Sequence, residues 1–318
     1  MKKKLTLFFF VVPFYLSAQD VHFTQFNKST FFLNPSLLFI AEKDYKFSLQ
    51  RRSQWNTVGD PFNTFVLSIE RKNISPKNSF GVQFLNDFAG EAEFKTTGLN
   101  LIYSREFFID NKNNINLGFG FGYFQRSIDF DKLIFQEIEN YPNSNFWFPD
   151  INIGVSNRYI VNKKSYIISG ISFFHINKPN QSFIKNDKVR LDSKMNLHSS
   201  SVYSFNEKID FSPSILFSKQ KNNQEAVFIF DVIYNPKIKN TKLKSGLGYR
   251  WEDAMIYNFG IEKDDFEFII SYDFNVSSFN QATNGNGGIE FFLSYIWKHK
   301  KNKDLKKIIH TETCPKYL

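Results

Sequence analysis

Apolar and polar residues alternate with period two in short segments from about residue 45 to residue 298. Ile115, Leu117, Phe119, Phe121 and Tyr123 are separated by Asn116, Gly118, Gly120 and Gly122. The pattern returns in Phe266, Phe268, Ile270, Tyr272 and Phe274, and in Ile289, Phe291, Leu293, Tyr295 and Trp297. Successive strand side chains point to opposite faces, so each segment has one apolar and one polar face. Read between turn signals, the alternation predicts fourteen strands, near 45–54, 62–71, 79–87, 95–107, 114–126, 150–160, 165–175, 194–205, 209–219, 225–235, 242–250, 254–262, 265–275 and 287–298. Each is close to the roughly 9–11 residues of a tilted membrane-crossing strand. The eighth segment is serine-rich and the ninth contains Pro213, which suggests a bulge because proline cannot donate to a ladder. With one pair misread, the count becomes twelve or sixteen.

The connections support an all-β, antiparallel outer-membrane β-barrel. If the N-terminus is periplasmic, the inward turns include Asn162-Lys163-Lys164, Asn206-Glu207-Lys208 and Lys263-Asp264, all short. The outward set contains the two longest loops, about 127–149 and 176–193. Short periplasmic turns and long external loops are the asymmetry expected of such barrels.

Met1 to Ala18 reads as a signal peptide: Lys2, Lys3 and Lys4, an apolar run from Leu5 to Leu16, then Ala18 before Gln19-Asp20. Leu16 is not an ideal residue three positions before the cut, but the apolar run is shorter than the roughly 20 residues of a spanning helix. The expected organisation is therefore a signal peptide at 1–18, an N-terminal periplasmic or plug-like segment at 19–44, a barrel at 45–298 and a basic periplasmic tail at 299–318. Phe23, Phe26, Phe31 and Phe32 are too apolar to hang free in the periplasm, and place the segment at the barrel mouth or in its lumen.

Aromatics make up 18% of the chain, with forty phenylalanines. Mean hydropathy is nevertheless −0.35. A greasy exterior diluted by a polar lumen produces that combination. The net charge of +9 is not spread over the body: three lysines leave with the signal peptide, and seven lysines from Lys298 onwards face only Asp304 and Glu312. Taking away those three and the tail's surplus of five leaves +1, which removes support for a nucleic-acid partner. Cys314 is the single cysteine, so internal disulfides and cysteine-based metal pairs are excluded.

Inward positions carry both signs: Lys46, Arg52, Glu70, Arg158, Asp231, Lys244, Arg250, Glu262, Glu267, Asp273 and Glu290. A selective pore favours one sign, so the lumen reads as largely occluded by charges that pair across it. Independent solvated charges remain the plain alternative. Gly118, Gly120 and Gly122 leave room on an inward wall for something packed against it, such as a loop or the N-terminal segment. His175, His198 and Ser199 to Ser201 are the nearest approach to hydrolase chemistry, but their spacing does not demand a triad, and no nucleophile-elbow, phosphate-loop or paired-histidine motif occurs. No enzyme, cofactor or metal is expected.

Several stretches together resemble the PorP/SprF family of outer-membrane proteins tied to type IX secretion and gliding motility. They are Asp20-Val21-His22-Phe23-Thr24-Gln25-Phe26 with Leu33-Asn34-Pro35; Arg52-Ser53-Gln54-Trp55 with Pro61-Phe62-Asn63-Thr64-Phe65; Gln125 to Leu133; His175 to Phe183; Ser271-Tyr272-Asp273-Phe274; Gly288-Ile289-Glu290; and Cys314-Pro315-Lys316-Tyr317. Val21 stands where a proline is often found, and Leu37 to Lys43 replaces a glycine-rich segment. The resemblance implies a non-enzymatic accessory in the cell outer membrane. It would help secrete and anchor particular cargo such as surface adhesins, recognising the cargo C-terminal sorting domain. Its partners would also include periplasmic or peptidoglycan-linked secretion components and outer-membrane lipid. The polar residues of the two most specific motifs, Gln125, Arg126, Asp129, Asn177, Asn180 and Gln181, together with Pro179, are candidate cargo contacts. Equally, they hold one another, with Arg126 bonding loop carbonyls and Asp129 capping a turn. A channel for small or hydrophobic solutes is the alternative function.

Overall fold

The computed structural model describes residues 20–298 apart from 41–42, 56–60, 91–92, 131–143, 184–188, 237, 239, 278–282 and 284. The expected signal peptide and basic tail lie outside the described residues, as do Asp131 to Leu133 and the Cys314 motif.

Fourteen antiparallel strands close into a barrel in sequence order, with β1 pairing β14. They are β1 Tyr45–Gln54, β2 Phe62–Ser75, β3 Asn78–Ala89, β4 Phe94–Phe108, β5 Asn113–Ser127, β6 Asn145–Ile160, β7 Tyr166–Phe174, β8 Lys194–Ser204, β9 Ile209–Gln220, β10 Asn223–Tyr234, β11 Thr241–Arg250, β12 Ala254–Lys263, β13 Phe266–Asn275 and β14 Asn286–Trp297. Every predicted strand is present. The outward face carries the aromatic and aliphatic set, for example Leu117, Phe119, Phe121 and Tyr123 on β5 and Met255, Tyr257, Phe259 and Ile261 on β12, all exposed. Closure gives every strand a hydrogen-bonded neighbour on both sides over its barrel-forming part, which a barrel in lipid requires. Stacked rings at the β1–β14 seam, Tyr45 on Trp297 at 5.0 Å, form part of one aromatic rim.

Two expectations are corrected, both beside a proline. β6 starts at Asn145, five residues earlier than the alternation indicated, because Pro149 does not stop it. Pro149 pairs with Tyr123 of β5, while the β6–β7 ladder covers only Ile153 to Ile160. That half of β6 is thus paired on one side, where a missing N–H is tolerated. Pro213 produces no bulge. The β9–β10 register runs straight through it, and the β8–β9 register is unchanged on either side of a gap between Ser200↔Ser214 and Tyr203↔Phe211. The register does shift elsewhere, between Asp273 and Phe274 of β13 and between Arg71 and Ser75 of β2.

One end of the barrel has short connections, such as Pro76-Lys77 between β2 and β3 and Asp264-Asp265 between β12 and β13. The other end carries the two longest, between β5 and β6 and between β7 and β8. These are called the short-turn and long-loop ends below.

The core lies inside the barrel. Residues 20–40 thread the lumen as a 3-10 turn (Phe26–Lys28), one α-helical turn (Thr30–Leu33) and a second 3-10 turn (Pro35–Ile40). Phe26, Leu33 and Leu37 pack against Ile168, Leu216, Val227, Ile229 and Ile256 of the wall. Phe23 joins Val66, Leu85, Phe124 and Phe148, and Phe31 and Leu38 join Ile102. The plug segment's apolar residues supply a core that the polar lumen-facing alternation does not provide alone.

Candidate functional site

The plug is held by polar contacts along its length. At its start, Thr24 and Gln25 meet a buried cluster of opposite charges on β1, β11, β13 and β14. Arg52 bridges Asp273 at 2.8 Å and Glu290 at 3.2 Å, and Arg250 bridges Asp273 at 3.0 Å. The Thr24 hydroxyl reaches both Asp273 oxygens at 2.8 Å. The backbone N–H groups of Thr24 and Gln25 donate to the Glu290 carboxylate at 2.7 and 3.0 Å. Arg52 also reaches the Thr24 hydroxyl. Two buried carboxylates thus receive charged and neutral donors together, the condition under which buried ions are tolerated.

Further along, Ser29 donates to Gln50 at 2.7 Å and Thr30 to Glu70 at 3.1 Å. Lys28 pairs with Glu267 at 2.7 Å. Asn34 is fully buried and donates to the carbonyls of Val155 and Ile171, at 3.1 and 3.2 Å, beside His198 Nε2 at 3.1 Å. Its own Oδ1 accepts from the Ser36 N–H and hydroxyl. Asn196 and Ser172 donate to the Leu33 carbonyl.

Gly118 of β5 exists for this contact. A Cβ there would lie 2.2 Å from the Pro35 carbonyl carbon and the Ser36 nitrogen. Gly154 and Gly170 make the same allowance for Asn34, and Gly81 for Phe31. The expectation that the G-x-G-x-G wall receives the N-terminal segment holds at Gly118. At Gly120 and Gly122 a Cβ would instead meet the side chains of Asn152 and Phe124.

The plug's first described residue reaches the long-loop end. His175, one residue past β7, lies between Asp20 at 2.7 Å and Asp150 at 2.8 Å. Burial pulls the imidazole's pKa down, but the two carboxylates outweigh it and raise it from 6.5 to about 9. Burial would raise the Asp20 carboxyl, yet His175, Lys194 and Arg126 hold it well below the usual carboxylate range. His175 sits at φ 55°, a left-handed conformation uncommon for histidine, and its N–H is fixed by Asn152 at 3.1 Å.

The candidate cargo residues surround this latch. Arg126 points inward, donates to Thr96 at 3.2 Å and to Gln181, and stacks over Phe94 and Phe148. The two motif segments, 55 residues apart in sequence, are thereby joined; the acceptor is a side-chain amide rather than the loop carbonyls considered above. Asn177 is exposed, but its amide ties down β6: it donates to the Pro149 carbonyl at 2.8 Å and accepts from the Ile151 N–H at 3.1 Å. Pro179 is buried and its carbonyl accepts from Leu191. Asn180 is exposed and bridges to Arg190. Gln125 takes its place in the β4–β5 and β5–β6 ladders. Asp129 is half-buried just beyond β5.

Hydrolase geometry does not form. His198 points into the lumen towards Asn34, while Ser199 faces outwards and pairs with Ser169 at 2.8 Å. Among the described residues there is no group of three or more His, Cys, Asp or Glu side chains able to hold a metal.

Sequence reasoning missed the receptors of the plug at Gln50, Ser156, Ser172 and Asn196. Their signal was faint: small polar residues at inward strand positions.

Similar barrels are known. The toluene transporter TbuX of Ralstonia pickettii superposes with a TM-score of 0.52 at 10% identity, over 84% of this chain and 92% of that one. The monoaromatic hydrocarbon channel CymD gives 0.50 at 12% identity, over 86% and 93%. At such identities the likeness concerns the fold. No curated protein matches the sequence. A family model described as type IX secretion system membrane protein PorP/SprF matches residues 16–295.

Proposed function

The chain belongs to the PorP/SprF family of type IX secretion system membrane proteins, and from that premise we propose that it is a non-enzymatic adaptor that captures particular cargo. Its location is the cell outer membrane, and its fold is that of a membrane barrel rather than an enzyme. The cargo element is a C-terminal sorting domain, surface adhesins being the leading candidates. Periplasmic or peptidoglycan-linked secretion components are the partners at the short-turn end.

The observation that carries this reading is the braced long-loop rim. Arg126 and Gln181 tie the β5 and β7 exits together, and the Asp20 latch stiffens them from within. What remains exposed is the crest Ile176, Asn177, Lys178, Asn180, Val189 and Arg190. Rigid presentation of an exposed crest suits recognition, because little ordering entropy is lost on binding. In this reading Asn180 touches cargo, while Asn177, Arg126, Gln181, Pro179, Gln125 and Asp129 position it.

A hydrocarbon channel would need an apolar, well-formed pocket. Much of the apolar lumen surface is instead covered by the plug, and the space left over mixes apolar side chains such as Ile168, Ile233 and Ile269 with eight carboxylates and five lysines.

The test is deletion of the gene followed by complementation with Lys178→Glu/Asn180→Ala. Deletion should abolish surface display of one or a few cargo proteins and leave general type IX export intact, and the variant should insert normally yet restore display poorly. Loss of every type IX substrate would place the protein in the core machine. Full rescue by the variant would remove the crest from cargo recognition.

A further inference from the structure

β6 outruns its neighbour at the long-loop end. It begins at Asn145, β7 ends at Phe174, and the ladder between them covers only Ile153 to Ile160. At His175 the chain takes its left-handed turn and leaves the sheet. It touches β6 once more: Ile176 donates to the Ile151 carbonyl, and the Asn177 side chain satisfies the Ile151 N–H and the Pro149 carbonyl. Towards the start of the strand from Pro149, no described residue bonds the backbone of Asn145 or Trp147 on the open side. The direction of those groups follows from the ladder with β5. The Ile128 N–H bonds the Ser144 carbonyl at 2.9 Å, and bonded and non-bonded pairs alternate along an antiparallel ladder. Phe146 and Phe148 therefore turn their backbone groups to β5, and Asn145 and Trp147 turn theirs away from it, as Ile151 does. Both residues are exposed.

This edge stands clear of the hydrocarbon. On β5 the outward apolar run ends at Tyr123, and the next outward positions, Gln125 and Ser127, which pair with Trp147 and Asn145, are polar. Unpaired backbone is tolerated there and not in lipid. The edge is also held in shape: Trp147 stacks on Tyr123 at 5.2 Å, and Phe146 meets Phe183 edge-on at 4.8 Å. Unpaired N–H and C=O groups along an extended backbone fit one kind of ligand, another extended backbone. We propose that the open edge of β6 is a strand-addition site, at which an extended segment of the cargo pairs with the backbone of Asn145 and Trp147. Charge narrows the segment. The crest beside the edge exposes Lys178 and Arg190 and, among its described residues, no acid. A second copy of this chain would set like charges together, whereas a segment carrying acidic side chains complements them. The inference rests on the cargo reading and specifies how the cargo is held: by main-chain bonds at the edge, beside side-chain contacts at the crest.

Position 147 separates backbone pairing from side-chain recognition. Trp147→Pro removes the N–H on the open side and puts a ring in the path of an added strand. The β5 ladder does not use that N–H, and Pro149 already occupies the same register two residues on. Trp147→Val removes the indole and keeps the N–H. The probe is the purified C-terminal sorting domain of a cargo protein whose display is lost on gene deletion. Its binding is measured to the full-length barrel in nanodiscs, with boiling-dependent gel migration showing that each barrel is intact. Trp147→Val should bind within about threefold of the native chain, and Trp147→Pro at least about tenfold more weakly. If Trp147→Pro does not fold, Asn145→Pro, at the first residue of the strand, is compared with Asn145→Thr instead. In a Cys314→Ser background, Asn145→Cys should form disulfides with cysteines at alternate positions of one segment of the sorting domain. Equal binding by the proline variant and its control, cross-links without a period of two, or barrel dimers of Asn145→Cys that form without the probe would overturn the edge site and leave the cargo reading standing. A native barrel that does not bind the sorting domain, or a deletion that costs no cargo, would remove both.

Discussion

Gly118→Ala should eject the plug while leaving the barrel closed. The added Cβ would lie 2.2 Å from two backbone atoms of the plug, at Pro35 and Ser36, and ordinary contact begins near 3.4 Å, so the two walls must part by about 1.2 Å. The strand cannot yield, because Gly118 is laddered to Ser104 on one side and Gly154 on the other. The plug must retreat instead, and Ser36 loses its bonds to Ser156 at 2.7 Å and from Ser104 at 3.1 Å. Overpacking costs about 1–3 kcal/mol, and two hydrogen bonds add about 0.5–1.5 kcal/mol each. The gain from replacing a strand glycine is only about 0.5–1 kcal/mol. The balance stands at roughly 2–5 kcal/mol against the seated plug. Gly120→Ala is the control, since its Cβ would meet side chains and no plug atom, Asn152 at 3.2 Å and Asn100 at 3.7 Å. The assay is conductance in planar bilayers, joined to limited proteolysis of residues 20–38. The native chain and Gly120→Ala should be silent and resistant; Gly118→Ala should conduct and be cut, while still shifting its gel migration on boiling. A silent, protease-resistant Gly118→Ala would refute the argument that this glycine seats the plug.

Two further outcomes follow from the buried charges. Arg52→Ala leaves Asp273 and Glu290 without their shared partner; because Arg250 still meets Asp273, the cost should fall near the lower end of about 3–5 kcal/mol, read as the urea midpoint for loss of the heat-modifiable form, and a loss below about 1 kcal/mol would contradict the charge cluster's role. The His175 latch should loosen in alkali: its pKa is raised to about 9, so its contribution is complete below the unfolded value near 6.5 and fades as pH climbs through 9. The lowered Asp20 makes its own contribution above the ordinary carboxylate range and loses it only in strong acid. Proteolysis of the plug should therefore rise between pH 7 and 10 in the native chain and be independent of pH across that range in His175→Gln.

Strand number and facing were readable because lipid imposes a period-two rule that aromatic residues mark clearly, from Leu117-Phe119-Phe121 on β5 to Met255-Tyr257-Phe259 on β12. The plug was readable from Phe23, Phe26 and Phe31, which have no business in water and found walls at Val66, Ile168 and Ile102. The pairing of lumen charges was anticipated in kind but not in detail. Arg52 meets Asp273 and Glu290 across more than two hundred residues, and nothing local encodes which acid it finds. That depends on the stagger of the strands and the path of the plug. The same holds for Arg126 and Gln181, whose loops are brought together by barrel closure. Pro213 misled because a proline's effect depends on whether a neighbouring strand needs its missing N–H, and that is a property of the ladder.

The residues that made the family legible are largely the residues that seat the plug. Thr24, Gln25, Asn34 and Pro35 lie on one side of that interface, and Arg52, Asp273 and Glu290 on the other; His175 pins its outer end. In this chain those positions are spent on seating the N-terminal segment in the barrel, so they speak for the stoppered fold and not for a binding partner. Residues free to vary without unseating the plug are those that face away from it. At the long-loop end these are the exposed positions between β7 and β8, among them Ile176, Lys178, Val189 and Arg190. The bracing by Arg126, Gln181 and Asn177 separates the two demands. It lets the crest change its chemistry while the latch beneath keeps the plug, and therefore the rim, in one position.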